Sequence, residues 1–236
     1  MDLNTVFPHR SFISLPRRQD RRAWLQARMA DAGVSAEWFR AVDARRLRRW
    51  KGFAGLPQRA HSISFRLLLR AAQRRDSAGL LVLEDDAVFH PEFRERVAAL
   101  ELPDDWRIFY FGCQHLAAPT RVSEGVVRVK RALDTHAVAF RRSAYLEARK
   151  IMRGRATGRD QCTDVLLSLL HEKLPTYAAF PNLIWQALGE SDIARHCYSN
   201  YDAAGHQKHC TEMVSHLRPC TPPTLPDPLP FTHPHP

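Results

Sequence analysis

The sequence predicts an α/β fold in a single domain, and three observations lead to that prediction. Leu80–Leu83 is a run of four aliphatic residues bounded by turn-forming residues, which is typical of a strand buried on both faces. The first forty residues alternate strand, helix and strand patterns at the spacing of a βαβ unit, which favours a parallel sheet. A chain of 236 residues is also long enough to bury the core of one such domain.

The first unit begins with the apolar run Phe12–Leu15, which predicts a short strand. A helix follows with Leu25 and Met29 on one face, and Gly33 is placed to end it. Val34–Asp43 can then return as a second strand beside the first. The loop after the first strand is rich in arginine, and we expect it at the same sheet edge as the end of the Leu80–Leu83 strand.

The next helix is predicted from Ser62 to Arg75, with Ser62 or Ser64 as its cap. Its apolar residues recur at helical spacing and are Phe65, Leu68, Leu69 and Ala72. Further strands are predicted at Trp106–Gly112, Val126–Lys130 (antiparallel and half-exposed), Thr135–Phe140 and Tyr177–Phe180, with a loop at 113–124, and helices at Ser143–Met152 and from a Thr163 cap to Pro175. The whole predicts a mixed, mostly parallel sheet of Rossmann type.

The composition changes near the end of the chain. We place the folded domain at residues 1–200 and a Pro/His-rich tail at 201–236, which carries too little apolar surface to pack and should be extended or disordered. Five histidines and cysteines there have a spacing that fits no strong zinc pattern: His206, His209, Cys210, His216 and Cys220.

Three carboxylates follow the central strand, at Glu84, Asp85 and Asp86. Open α/β sheets bind ligands at the carboxyl ends of such strands, and on a strand Glu84 and Asp86 would share a face. Paired carboxylates suit Mg²⁺ or Mn²⁺, which complete their coordination with water and phosphate oxygens. The cluster therefore predicts a divalent cation held against the diphosphate of a nucleotide. The alternative is a solvated acidic turn before a helix with Pro91 at its first position.

The net charge of +10 is unevenly distributed. Residues 1–60 contain thirteen Arg and Lys against five Asp and Glu, which would attract phosphorylated ligands, nucleic acid or an anionic membrane surface. The five scattered cysteines do not form a disulfide framework, and neither a signal peptide nor an apolar run long enough to span a bilayer is recognisable. We expect a cytoplasmic protein, and the basic first quarter allows peripheral contact with the inner membrane.

Two further residues have both a structural and a functional interpretation. Asp164 lies in the first turn of a helix, where it can stabilise the helix dipole or act as a general base at the cleft. His136 lies early in a buried strand, where a histidine is more often a core residue than a ligand.

Several short motifs, in order, resemble glycosyltransferase family 25, which contains lipopolysaccharide and lipooligosaccharide glycosyltransferases and the collagen galactosyltransferases. The similarity extends from Phe12 to Ile193, and its motifs are Phe12–Arg22, Ala41–Asp43, Leu83–Asp86, Tyr110–Gly112, Thr135–Ala137, Thr163–Val165, Pro181–Gln186 and Ser191–Ile193. The sequence departs from the family at Phe65, where the family has His, at Val138, where it has Tyr, and in a Cys-Gly motif that is not recognisable here.

The resemblance implies a GT-A-like fold, a nucleotide-sugar donor that is usually UDP-linked, Mn²⁺ (or Mg²⁺) and inversion at the anomeric carbon. The implied acceptor is a glycan such as lipopolysaccharide. By the same resemblance, Glu84 and Asp86 hold the metal, Asp164 is the catalytic base, and the donor-binding residues are Arg18, Arg21, Asp43, Glu84, Asp85, His136, Ser191 and Asp192.

Three other interpretations remain open. A metal-dependent phosphohydrolase or nuclease would need further ligands near the acids. A basic nucleic-acid or envelope-binding protein would fit the pI near 9.9, although the resemblance implies no nucleic acid. Phe65 keeps an inactive family member among the alternatives. The oligomeric state does not follow from the sequence.

Overall fold

The computed structural model describes residues 1–48, 55–153, 162–187 and 192. Within these ranges the helices are α1 (Leu3–Val6), α2 (Gln19–Asp31), α3 (Leu56–Arg74), α4 (Phe93–Ala99), α5 (Tyr145–Ile151) and α6 (Thr163–Ser168), with short 3₁₀ turns at Ala44–Arg46 and Arg142–Ala144. The strands are β1 (His9–Ser14), β2 (Glu37–Arg40), β3 (Gly79–Glu84), β4 (Ala87–Phe89), β5 (Ile108–His115), β6 (Thr120–Ser123), β7 (Val126–Arg128), β8 (Ala132–Arg141), β9 (Thr176–Ala179) and β10 (Ile184–Gln186).

Eight of the described strands form one mixed sheet in the order β2-β1-β3-β8-β5-β9-β7-β6. β1 pairs in parallel with β2 and β3, and β5 with β9, whereas β8 and β7 run antiparallel to their neighbours. Six of these eight strands therefore point in one direction. The predicted mixed α/β fold is confirmed, as is the antiparallel strand near Val126.

The sheet is covered by helices on both faces, and β3 shows why its sequence is continuously apolar. Leu80 and Val82 pack on one side with α3, α5 and α6, while Leu81 and Leu83 pack on the other with α2 and α4. All four are fully buried, as alternation along a central strand requires. The predicted double burial of this strand is confirmed, and its carboxyl end is fixed beside that of β1.

Several predicted boundaries were wrong. Ser62 and Ser64 lie inside α3, which begins at Leu56 after Gly55 with Pro57 in its first turn. Pro91 does not begin a helix, because the short strand β4 follows the acids and α4 begins at Phe93. The starts are thus defined by Pro57 in the first turn of α3 and by Glu92 at the N-cap position of α4, where its side chain makes no capping bond.

Two later segments also differ from their predictions. Thr163 is the first residue of α6, not its cap, and the helix ends at Ser168, well before Pro175. The predicted loop at 113–124 contains the end of β5 and the edge strand β6. The tail with its candidate zinc residues lies outside the described residues, as do residues 49–54 of the basic first quarter.

No helix in the described part of the chain has both the length and the apolar character needed to cross a bilayer.

Candidate active site

The three carboxylates lie where β3 ends, at the edge of the sheet where β1 also ends. β3 stops at Glu84, which is in register with Ile13 of β1, and Asp85 and Asp86 form the turn into β4. The strand alternation does not extend to Asp86, so the expectation that Glu84 and Asp86 share a strand face was wrong. The turn is closed from the other side by β10, because Ala187 N–H donates to the Asp86 carbonyl at 2.8 Å.

Each carboxylate has its own set of partners. Glu84 accepts a hydrogen bond from the Thr135 hydroxyl at 2.6 Å. The Ser14 hydroxyl donates to Asp85 at 2.7 Å, and the Gln186 amide donates to Asp86 at 3.1 Å. Because three different strands, β8, β1 and β10, supply these contacts, the cluster is held by the tertiary fold and not by its own turn.

Arg21 provides the counter-charge for the two aspartates. Its Nη1 lies 3.0 Å from Asp85 Oδ1 and 3.4 Å from Asp86 Oδ2. Arg21 is buried in the first turns of α2, and although burial acts to lower its pKa, Asp86 and Asp85 raise it. The guanidinium is therefore permanently charged and holds both acids in place.

The three acids differ in proton affinity although they are consecutive in sequence. Burial raises the pKa of Asp86 to about 6, because Arg21 offsets only part of the cost of a buried charge. Burial also raises the pKa of Asp85 against the opposing effect of Arg21. For Glu84 burial acts in the same direction, but the His61 ring outweighs it and lowers the pKa to about 2. Glu84 is therefore a stronger acid than Asp86, and Asp86 takes up a proton more readily than an ordinary aspartate.

His61 is a site residue that the sequence analysis missed. It lies on α3 one turn before Phe65, with Nε2 3.3 Å from Glu84 Oε1 and Nδ1 2.8 Å from the Thr163 hydroxyl. Burial opposes its charge, but Glu84 raises its pKa. Residues four apart share a helix face, so His61 lies on the same face of α3 as Phe65, the position where the family has histidine. That spacing in the sequence was the signal that could have identified His61.

A second charge network lies beside the acids. Arg17 pairs with Asp43 at 2.8 Å and with Asp192 at 2.7 Å. Arg18 pairs with Asp192 at 2.8 Å and with Asp20 at 3.0 Å. Burial opposes ionisation of Asp192, but the bonds from Arg17 and Arg18 lower its pKa. Arg18, Asp43 and Asp192, predicted to line a nucleotide, thus contact one another directly or through Arg17.

The acids and the neighbouring charge network line a cavity of about 110 Å³, which opens to solvent at the carboxyl edge of β1 and β3. The predicted site residues that line it are Arg21, Glu84, Asp85, Asp86 and Asp192. Unpredicted lining residues include Ser14, Arg17, His61 and Gln186. Pockets that enclose a whole ligand usually measure about 300–1,000 Å³, so the cavity can hold only part of a nucleotide sugar.

Two other predicted residues, His136 and Asp164, are not part of the cavity lining. His136 is buried with Nε2 3.0 Å from the Ile184 carbonyl, and it is close enough to Gly112 that a Cβ there would lie 2.6 Å from its ring. Asp164 accepts bonds from the backbone N–H groups of Val165 at 2.8 Å and Asp134 at 3.5 Å. Ser191 lies outside the described residues.

The acid cluster can provide the one or two carboxylate ligands with which proteins commonly bind a divalent cation. Within the described ranges, no three His, Cys, Asp or Glu side chains are grouped to hold a metal by themselves. Asp86 Oδ1, however, is buried and has no hydrogen-bond partner in the described part of the chain. No hydrogen bond to this oxygen offsets the cost of its burial, and it is available as a metal ligand. Mg²⁺ is typically bound through one or two carboxylates plus water and substrate phosphates, which matches this donor set.

Comparison with known proteins gives structural likeness only. No protein-family profile matches the sequence, and no curated protein matches it. Among solved structures, the chain is similar to a glycosyltransferase involved in the glycosylation of the major capsid of PBCV-1, with 14% identity, 74% of this chain and 94% of that chain covered, and a TM-score of 0.38.

Two further structures are similar at the same level. A197 from STIV has 16% identity over 82% of this chain and 95% of its own, with a TM-score of 0.42. The nucleoside-diphosphate-sugar pyrophosphorylase from Vibrio cholerae RC9 has 13% identity over 74% of each chain, with a TM-score of 0.36. Likeness at this level assigns neither a family nor an activity to this chain.

Proposed function

We propose that this protein is a glycosyltransferase of the family 25 type. It would move a sugar from a nucleotide-sugar donor, UDP-linked, to a glycan acceptor such as lipopolysaccharide or lipooligosaccharide, with a divalent cation and with inversion at the anomeric carbon. The observation that carries the proposal is the position of Glu84, Asp85 and Asp86 in a cavity at the carboxyl ends of two parallel strands. Open α/β sheets bind nucleotides and related ligands at this edge.

In this proposal Glu84 and Asp86 hold Mn²⁺ or Mg²⁺ through carboxylate oxygens. The cation supplies charge neutralisation for the diphosphate that leaves the sugar. Asp86 Oδ1 is the best-placed donor because it is buried and lacks a hydrogen-bond partner in the described residues. Arg21 keeps the second oxygen of Asp86 and one oxygen of Asp85 fixed, so that Oδ1 is oriented before any ligand arrives.

Arg17 lines the cavity and Arg18 follows it in the chain, and both are paired with Asp192. A diphosphate that reached them would compete with Asp192 for their guanidinium groups, which bind phosphate and carboxylate in the same fork geometry. Asp43, bonded to Arg17, would lie beside the nucleoside, and His136 would support the pocket floor from beneath.

Asp164 is the proposed base for the acceptor hydroxyl. It lies next to Thr163, which contacts His61 in the cavity wall, but it does not line the described cavity itself. Its role remains a prediction, and deprotonation by it would require the acceptor to approach from the α6 side of the cleft.

An inactive family member is the second candidate, and one observation favours it. Each of the three carboxylates has a basic side chain of the chain itself beside it, Arg21 for Asp85 and Asp86 and His61 for Glu84. A chain that retained the acids only for stability would show this pairing. Such a chain could also have lost the family histidine, and this chain has Phe65 at that position.

Ligand-dependent stabilisation and sugar transfer test the proposal together. UDP and UDP-sugars should raise the melting temperature only with Mn²⁺ or Mg²⁺; at a concentration of about 100 Kd the gain is ~2.7 kcal/mol. Asp86→Asn should abolish the cation-dependent part, while Glu92→Gln, a change at an exposed carboxylate outside the cleft, should retain it. Equal stabilisation of wild type and Asp86→Asn would refute the assignment.

The transfer assay separates the two candidates. An active enzyme should release UDP when an acceptor glycan is added, and Asp164→Asn should lower that rate by about 10²–10⁴-fold while leaving cation-dependent donor binding intact. Cation-dependent binding without UDP release from any acceptor would support the inactive member.

A further inference from the structure

The outer surface of α3 and α5 combines several basic side chains with two exposed leucines. We call it the α3–α5 basic face, and it consists of Arg66, Leu67, Arg70, Arg74, Leu146, Arg149, Lys150 and Arg153. The two helices pack side by side on one face of the sheet, and Arg149 Nη1 donates to the Gln73 side chain across the seam between them. The residues therefore form one continuous surface drawn from two elements.

Positive charge on this face is not balanced by nearby acids. α3 contains four arginines and no Asp or Glu, and Glu147 is the single acid of α5. Arg66 is partly buried, which lowers its pKa, and the positive charges of Arg153 and Arg149 lower it further. The cations of the two helices are thus close enough to repel one another, an arrangement that an anionic partner would relieve.

Two large apolar side chains are exposed among these cations. Leu67 is 43% exposed on α3 and Leu146 is 46% exposed on α5. Leu67 follows Arg66 and lies three residues before Arg70, while Leu146 lies three residues before Arg149, so each leucine borders the arginines on its own helix. Leucines amid arginines and lysines are typical of helices that rest on a lipid interface.

We propose that the α3–α5 basic face is the surface through which this protein docks on an anionic phospholipid bilayer. Arginine and lysine head groups would meet lipid phosphates, and Leu67 and Leu146 would enter the boundary between head groups and acyl chains. A bilayer can bind both kinds of residue, the cations through lipid phosphates and the leucines through its apolar interior. A nucleic-acid backbone would bind the cations but leave the leucines exposed to water. The face thus fits a lipid surface better than a polynucleotide.

The position of the face relative to the cleft gives the docking a consequence. His61 lines the cavity, and Arg66 follows it by five residues on α3, about 7.5 Å along the helix axis. Five residues rotate the helix by about 500°, so Arg66 lies on the side of α3 away from His61, and a bilayer in contact with the face would be separated from the cavity by the width of the helix, about 10–12 Å. An acceptor anchored in that bilayer could present its head group to the cleft without leaving the membrane.

Vesicle flotation with the full chain and no nucleotide sugar tests the docking. The protein should float with vesicles containing about one-third phosphatidylglycerol and should not float with pure phosphatidylcholine. The triple variant Arg66→Gln, Arg70→Gln, Arg149→Gln should bind about 100-fold more weakly, since each basic residue at an anionic surface contributes about fivefold. The pair Leu67→Gln and Leu146→Gln should weaken the binding that remains at high salt.

A matched control removes three positive charges elsewhere. Arg40→Gln, Arg121→Gln and Arg131→Gln change exposed arginines outside the face and should bind vesicles as the wild type does. A second variant, Arg66→Lys, Arg70→Lys and Arg149→Lys, should also bind, because a lipid surface attracts a point charge as well as a guanidinium. Circular dichroism confirms folding, and if the triple arginine variant unfolds, the pair Leu67→Gln and Leu146→Gln keeps the test decisive, because it changes exposed side chains of the face and leaves its charges in place.

Three outcomes would overturn the proposal. These are equal vesicle binding by the face variant and its control, no binding of the wild type to anionic vesicles, and binding of the wild type to a DNA or RNA oligonucleotide that the face variant alone loses. Because no donor is present, the result does not depend on whether the chain transfers sugar.

Discussion

Arginines at two places in this molecule have opposite surroundings. Arg18 and Arg21 are buried beside the cavity, and with Arg17 they pair with aspartates. The arginines of the α3–α5 basic face are largely exposed, and those nearest one another have no acid between them. The comparison shows that the positive charges behind the net charge of +10 have two different roles. Part of it neutralises the protein's own acids, and only the remainder is available to a partner.

This difference changes the interpretation of the basic first quarter. The sequence alone suggested that its excess of arginine attracts phosphates or lipid. In the structure Arg22 stacks on Trp38 and Arg28 on Trp24, while Arg10 donates to backbone carbonyls. Many of these cations are therefore engaged within the fold, and the α3–α5 basic face is a separate concentration of positive charge further along the chain.

The largest expected effect comes from removing a buried arginine. Arg21→Ala should destabilise the protein by about 3–5 kcal/mol, because it leaves Asp85 and Asp86 buried without their shared counter-charge. The matched change Arg70→Ala on the exposed face should alter the free energy of unfolding by no more than about 0.5 kcal/mol. Urea unfolding of both variants measures the difference. Similar losses for the two would remove the distinction between the two classes of arginine.

Prediction from sequence succeeded where the cause was local. Leu80–Leu83 revealed a doubly buried strand because burial on both faces requires a continuous apolar run, and the acids that follow it do lie in a cavity. The carboxyl end of a strand is a property of chain direction, so the location of the cluster followed from the sequence alone.

The rest depended on contacts between distant segments. An apolar run does not show which way a strand points, so the antiparallel insertion of β8 between β3 and β5 was not predictable. β4 and β10 are three residues each and exist because they pair with one another across the chain. His61 reaches Glu84 only because α3 packs in a register that also places it against Thr163.

A smaller effect is expected at Asp192 and depends on pH. Its pKa is lowered in the folded protein, so its contribution to stability is present above its ordinary value of 3.8 and is lost as pH falls through the folded pKa. Asp192→Asn should cost about 1 kcal/mol near neutral pH, since the group is only partly buried and its ion pairs are screened by solvent. The difference from wild type should vanish in strong acid, which urea unfolding across the acid range can measure. A constant difference down to the most acidic conditions would mean that the pairing with Arg17 and Arg18 contributes nothing.

The smallest effect is expected from introducing an ion pair into the α3–α5 basic face. Arg66→Glu places a carboxylate beside Arg149 and Arg153, whose charges now act unfavourably on Arg66. Removing a repulsion and adding an attraction at a partly exposed site should stabilise the fold by about 0.5 kcal/mol at low ionic strength. The gain should disappear near 1 M salt, where the Debye length falls to about 3 Å. Arg66→Gln, which removes only the repulsion, should give a smaller gain. If Arg66→Glu instead destabilised the protein at low salt, the arginines of this face would already have counter-charges, and the contrast with the cavity arginines would fail.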